Sequence, residues 1–216
     1  MKLQQLLFAA LTSTVLAAPL VEERACTPQG NGGGLNENGV VNNNCCTDVT
    51  IIFARGTAEF GNVGTFAGPP FFKSLRAKLG ASRVTVQGVN YPADLLGLAT
   101  LGAAGSPDLA SKVRLALSQC SKTQIVLSGY SQGAEVVHDA FLHQGLSAIQ
   151  AKAAVLFGDP FNGAPAGNLS SEKLREICAP GDLICETDTL IATLNHLTYG
   201  RYADQAASWV ISALGL

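Results

Sequence analysis

From residue 49 to the C-terminus, short apolar runs alternate with stretches whose apolar residues recur every three or four positions. Val49 to Ala54, Val84 to Val89, Gln124 to Ser128 and Ala153 to Phe157 read as strands, and Lys173 to Cys178 adds a fifth. Phe71 to Leu79, Leu109 to Gln119, Gln132 to His143 and Tyr202 to Leu214 read as helices. Strands apolar at nearly every position have no solvent-facing side, so they predict a parallel sheet covered on both faces. The reading is one α/β domain, a three-layer α/β/α sandwich around a central, mainly parallel five-stranded sheet. Residues 27 to 44, with Gly32-Gly33-Gly34 and Asn42-Asn43-Asn44, break the alternation and read as a loop tied down by Cys26 and Cys45. No repeat and no linker divides the chain.

The N-terminus follows a different pattern. Lys2 precedes an apolar stretch from Leu6 to Leu16 that ends in the small residues Ala17 and Ala18, as in a secretory signal peptide. Residues 1–17 are expected to be removed, since cleavage after Ala18 would leave Pro19 first. Residues 18–25, with Glu22-Glu23-Arg24, read as a short pro-segment, and 26–216 as a single domain. The run Ala206 to Leu216 is too short to span a bilayer, which takes about 20 apolar residues. The expected product is secreted, extracellular, without a membrane anchor and monomeric.

Composition narrows the function. The 216 residues are 47% hydrophobic and 14% charged, which excludes a disordered chain. A net charge of -2 without any basic run offers nothing to nucleic acid. In an exported protein the six cysteines (Cys26, Cys45, Cys46, Cys120, Cys178 and Cys185) read as disulfides. Cys178 and Cys185 are placed to staple a local loop, whereas adjacent Cys45 and Cys46 should each reach a distant partner. With no C-x-x-C pair and no H-E-x-x-H, neither a metal nor a cofactor is expected.

The segment Ile125 to Gly133 is an apolar strand followed by Gly129-Tyr130-Ser131-Gln132-Gly133, and a helical pattern starts directly after it. A G-x-S-x-G at a strand-to-helix turn lifts the serine above the sheet edge as a nucleophile. The N–H of Gln132, at the helix start, can hold a developing oxyanion. Serine needs a neutral imidazole to take its proton, itself oriented by a carboxylate. His138 and His143 lie on the helix that Ser131 begins and are carried away from the turn, so His196 is the better base. For the acid, Asp182 sits inside the expected staple. Asp159 ends a strand and stays in competition, with Asp188 a weaker third. Asn168-Leu169-Ser170 is an N-glycosylation sequon.

At these residues the chain resembles the fungal cutinase family, within the cutinase and acetylxylan esterase group of α/β-hydrolases. The resemblance runs from about Cys46 to Gly200. It rests on Ile52-Phe53-Ala54-Arg55-Gly56-Thr57-Ala58-Glu59, the elbow, Cys178-Ala179-Pro180-Gly181-Asp182-Leu183-Ile184-Cys185 and His196-Leu197-Thr198-Tyr199-Gly200. It implies Ser131 as nucleophile, His196 as base and Asp182 as acid, with Thr57 and Gln132 forming the oxyanion hole. It also implies the bridges Cys46–Cys120 and Cys178–Cys185, which leaves Cys26 with Cys45. The loop Asn90 to Gly97 departs from the family's.

The expected function is that of a secreted serine esterase, acting through an acyl-enzyme on cutin, other aliphatic polyesters or short-chain acyl esters. The alternatives are a lipase, an acetylxylan esterase or a non-catalytic secreted binding protein. No insertion is long enough for a large lid. Leu95, Leu96, Leu190, Ile191, Leu194 and Leu197 are expected to line a shallow acyl groove.

Overall fold

Five strands, β1 (Val49–Ala54), β2 (Val84–Gly88), β3 (Gln124–Tyr130), β4 (Ala151–Phe157) and β5 (Leu174–Ile177), lie side by side in the order β2-β1-β3-β4-β5. Every neighbouring pair is parallel. This computed structural model describes residues 26–27, 30, 32–187, 189 and 191–216. The segments read as signal peptide and pro-segment, together with Asp188 and Leu190, lie outside them.

Parallel strands need long crossovers, and here helices supply them while covering both faces. They are α1 (Gly68–Leu79), α2 (Leu95–Ala99), α3 (Ser106–Gln119), α4 (Gln132–His143), α5 (Leu183–Thr187) and α6 (Ala203–Leu214). Side chains alternate along each strand, so β3 feeds two cores. Ile125 and Leu127 pack with Leu109 and Val113 of α3 and Val137 of α4. Val126 points the other way, towards Phe71 and Leu75 of α1 and Val210 of α6. This is the expected three-layer sandwich, with the sheet buried on both sides.

Some boundaries differ from the sequence reading. Helices α1 and α3 start earlier, at Gly68 and Ser106, because prolines sit in their first turns, where a missing N–H costs no helical bond. Helices α2 and α5, five residues each, are too short to show a period. The Gly- and Asn-rich loop is fixed more firmly than its composition suggests. Glu37 accepts two bonds from Arg76, at 2.7 and 3.1 Å, and both side chains are buried. The Gln87 side chain accepts from the N–H groups of Val40 and Val41, and Val40 joins a core.

The disulfides are Cys46–Cys120 and Cys178–Cys185, which the resemblance implied, and Cys26–Cys45, the pair that those two leave over. Their sequence separations are 19, 74 and 7 residues. Chain entropy makes the longest loop the most stabilising, at about 4 kcal/mol against about 2 for the shortest. Urea unfolding of the Cys46→Ser/Cys120→Ser variant is therefore expected to show the larger loss of stability. A larger loss for Cys178→Ser/Cys185→Ser would contradict that account.

Candidate active site

Where β3 passes into α4, the backbone of Ser131 takes φ 55° and ψ -124°. This is left-handed territory that costs a non-glycine residue about 1–3 kcal/mol. Tight neighbours enforce it. A Cβ on Gly129 would lie 2.1 Å from the Gly133 carbonyl oxygen, and one on Gly133 would lie 2.0 Å from that of Ala54. The turn is held by Ser131 N–H to the Phe157 carbonyl at 2.9 Å and Ala134 N–H to the Ser131 carbonyl at 2.8 Å. Gln132, the first residue of α4, has an N–H that no intrahelical carbonyl can reach.

His196 and Ser131 line one cavity of about 300 Å³ at the C-terminal edge of the sheet. His196 Nδ1 lies 2.7 Å from Asp182 Oδ2, which leaves its other ring nitrogen free for the cavity side. Asp182 is fully buried and well supplied with partners. Its Oδ1 accepts from Ile184 N–H at 3.2 Å, and its Oδ2 also accepts from the Tyr199 hydroxyl. The Cys178–Cys185 bridge closes this loop, with the Cys185 sulfur 3.4 Å from Oδ2. Tyr199 in turn accepts from Ala179 N–H, and burial followed by its bond to Asp182 raises its pKa. Tyr130 donates to the His196 carbonyl at 2.7 Å and sets its ring beside the imidazole, centroids 4.9 Å apart.

On the opposite wall stands Thr57, whose buried hydroxyl has no hydrogen-bond partner among the described residues. Its loop is built around two buried charged side chains. Glu59 accepts from the N–H groups of Gly56, Thr65 and Phe66, at 2.8, 2.7 and 3.0 Å. Arg55 donates to the carbonyls of Glu59, Tyr91 and Pro92. The Gln132 side chain donates to the Asp94 carbonyl at 2.8 Å, tying α2 to the elbow. Thr57 and the Gln132 N–H can thus face a negative oxygen formed above Ser131.

The expected acyl groove is placed only in part. Leu95 and Leu197 line the cavity, with Leu98, Phe66, Ile184 and Pro160. Leu96, Ile191 and Leu194 do not line it and stand exposed; consecutive residues on a short helix such as α2 cannot share one face. Sequence reading missed Phe66 and Ile184, and also Tyr199 and the Arg55–Glu59 scaffold. The last was visible as two opposite charges flanking Gly56-Thr57-Ala58.

Asp159 is engaged elsewhere. Its Oδ2 lies 2.8 Å from His138 Nε2, and its Oδ1 accepts from Phe161 N–H at 2.9 Å. His143 pairs with Asp139 at 2.6 Å near the surface. His138, Asp159 and Glu176 are a set among the described residues with donor atoms close enough, within 4.8 Å, to hold a cation; the His138–Asp159 contact already joins two of them. Burial would lower the His138 pKa, but the bond and charge of Asp159, with help from Glu176 and the Pro165 carbonyl, raise it on balance. Beside them Glu135 is pushed up to about 8, by burial first and then by the charge of Asp159.

The chain matches the family model described as Cutinase over residues 45–214. It is 44% identical to a cutinase of Botryotinia fuckeliana over 216 residues, covering 99% of this chain and 98% of that one. Among solved structures it is similar to Trichoderma reesei cutinase in complex with a phosphonate inhibitor, with a TM-score of 0.72 and 41% identity, covering 78% of this chain and 77% of that one. It is also similar to an acetyl xylan esterase, with a TM-score of 0.60 and 26% identity, covering 79% of this chain and 100% of that one.

The Glu135 and His138 environments make a pH prediction. Both groups hold their protons more tightly in the folded than in the unfolded chain, so their contribution to stability is fully present below the unfolded pKa values, 4.5 and 6.5. It is lost as pH rises through the folded values, about 8 for Glu135. The melting temperature is expected to fall between pH 5 and pH 8.5. Glu135→Gln, neutral throughout, should flatten that slope; an unchanged slope would show that Glu135 is not the proton held.

Proposed function

The chain belongs to the cutinase family, and on that premise we propose that Ser131, His196 and Asp182 hydrolyse carboxylic esters through an acyl-enzyme. The observation that carries this reading is one cavity shared by a serine on a strained elbow and a histidine whose far nitrogen is engaged by a buried aspartate.

Ser131 Oγ attacks the ester carbonyl while His196 takes its proton. Asp182 keeps the imidazole in the tautomer with Nδ1 protonated and stabilises the imidazolium that forms. Thr57 Oγ1 and the Gln132 N–H donate to the tetrahedral oxyanion, each worth on the order of 3 kcal/mol of barrier. Because Thr57 makes no competing bond among the described residues, its donor needs no partner exchange when charge develops. His196 then returns the proton to the leaving alcohol, and water repeats the attack to free the acid.

The substrates are carboxylic esters such as cutin, other aliphatic polyesters and short-chain acyl esters. Leu95, Leu98, Phe66, Ile184 and Leu197 present an apolar wall to an acyl chain. Phe60, Leu95 and Leu194 are strongly exposed, which suits contact with an insoluble, greasy surface. The protein is read as a secreted monomer: the signal peptide at residues 1–17 exports it, the short pro-segment 18–25 follows, and the domain runs from 26. Among the described residues no helix is long and apolar enough to cross a membrane.

Ser131→Ala is expected to lower kcat by on the order of 10⁴- to 10⁶-fold and to abolish labelling by a phosphonate probe. Asp182→Asn should cost about 10⁴-fold, since its amide favours the wrong tautomer. Asp159→Asn should leave turnover of a soluble ester nearly unchanged while costing about 3–5 kcal/mol of stability, because it strands His138 in the interior. Loss of turnover at Asp159 with Asp182 tolerated would reverse the assignment. Parallel assays on a cutin or polyester film, tributyrin and acetylated xylan fix the substrate class.

A further inference from the structure

The sequon Asn168-Leu169-Ser170 takes no part in the chemistry above, yet its setting is specific. Leu169 is buried and packs into the core beneath α3 and α4, whereas Asn168 and Ser170 on either side are exposed. Asn168 Oδ1 accepts from Ala148 N–H at 2.8 Å. The carboxamide is thereby oriented, with Nδ2, the atom that a sugar would occupy, left without a bond to the protein among the described residues.

Two apolar side chains stand exposed nearby among polar neighbours such as Ser147, Gln150 and Lys152. Ala148 is followed by Ile149, 80% exposed, and Gly167 packs on Phe141, whose neighbour Leu142 is 71% exposed. This patch lies at the N-terminal end of β4. The strand runs from Ala151 to Phe157, and its far end leads to Pro160 in the cavity wall. Seven strand residues put roughly 20 Å between the two. The molecule thus has greasy side chains at its mouth and two further exposed ones, Leu142 and Ile149, at its back.

We propose that Asn168 carries an N-linked oligosaccharide, which covers Leu142 and Ile149 and leaves the mouth as the adhesive face. In the transfer, Asn168 Nδ2 attacks C1 of a lipid-diphosphate-linked oligosaccharide. The N–C bond forms, the C–O bond to the lipid diphosphate breaks, and the amide loses one proton. On an insoluble polyester, a chain without the glycan adsorbs by either face, and the molecules lying on their backs are idle. The inference rests on the secretory reading above, because this transfer belongs to the secretory route.

The full chain is expressed in a secreting yeast and recovered from the medium. Its intact mass is expected to exceed that of the polypeptide by a hexose ladder, which endoglycosidase H reduces to a single N-acetylhexosamine. A chain retained in the cell overturns the export reading and this inference with it; a chain secreted at its bare mass overturns this inference alone. Ser170→Ala removes the sequon but keeps the Asn168–Ala148 bond, so folding and turnover of a soluble ester should be unchanged. On a polyester film this variant should bind more and release roughly twofold less product per bound molecule, the figure for two faces of equal adhesion. Leu142→Ser/Ile149→Ser added to it should restore the glycosylated value. Equal film activity of glycosylated and Ser170→Ala protein would leave the sugar without an orienting role and overturn that half of the proposal.

Discussion

Main chain meets main chain with no side chain between where β3 turns into α4 beside the end of β1. A single methyl group on Gly129 or Gly133 would collide with backbone oxygen. The close approach forces the positive φ of Ser131 and so decides where its hydroxyl stands. It also brings the loop after β1, which carries Thr57, alongside the first turn of α4. The third participant arrives over Gly158, at the end of β4, where an added Cβ would lie 2.8 Å from the His196 ring. Parallel strands deliver all these segments to one edge of the sheet, which is why a site assembled from distant sequence positions needs no large insertion to complete it.

The molecule holds two buried histidine–aspartate pairs, and contacts beyond the pair set them apart. His138 and His196 each face a carboxylate at under 3 Å. The carbonyl of Pro165 also favours the protonated form of His138, and that ring does not line the cavity that His196 shares with Ser131. His196 has a carboxylate on one side and a cavity on the other. The nature of the second neighbour, more than the strength of the first, distinguishes an imidazole enclosed by protein from one that opens on a cavity. The acids differ likewise: Asp182 is held by a backbone N–H, a phenol and the imidazole inside a disulfide loop, a setting in which small displacements are costly.

Much of this was legible in the residues. Periodicity revealed the five strands and four of the helices, because a strand buried on both faces and a helix buried on one leave different apolar patterns. The elbow, His196 and the Asp182 loop could be read from spacing and from the familiar grouping of their neighbours. Other features left no such pattern. Helices α2 and α5 are shorter than one reliable period. The Arg55–Glu59 scaffold depends on backbone N–H groups converging on a carboxylate, which has no periodic signature. Tyr199 looks like any core aromatic until its hydroxyl is seen to reach Asp182. Leu96 and Leu194 look like groove residues in a string of letters, and only the direction of each side chain removes them.

The last cysteine is residue 185, so Glu186 to Leu216 lies outside every disulfide loop, as does 121–177; that earlier stretch is held by its strands β3, β4 and β5, whereas the C-terminal tail adds no strand to the sheet. That tail contains His196, Tyr199 and α6. It is held by packing, mainly α6 against α1, and by the bonds that Asp182 and Tyr130 make to it. Heat or a denaturing surface can therefore peel His196 away from Ser131, which the sheet holds, and from Asp182, which its disulfide loop holds. Such an enzyme would fall silent with most of its sheet intact, and would regain its activity on cooling as readily as one helix can dock again.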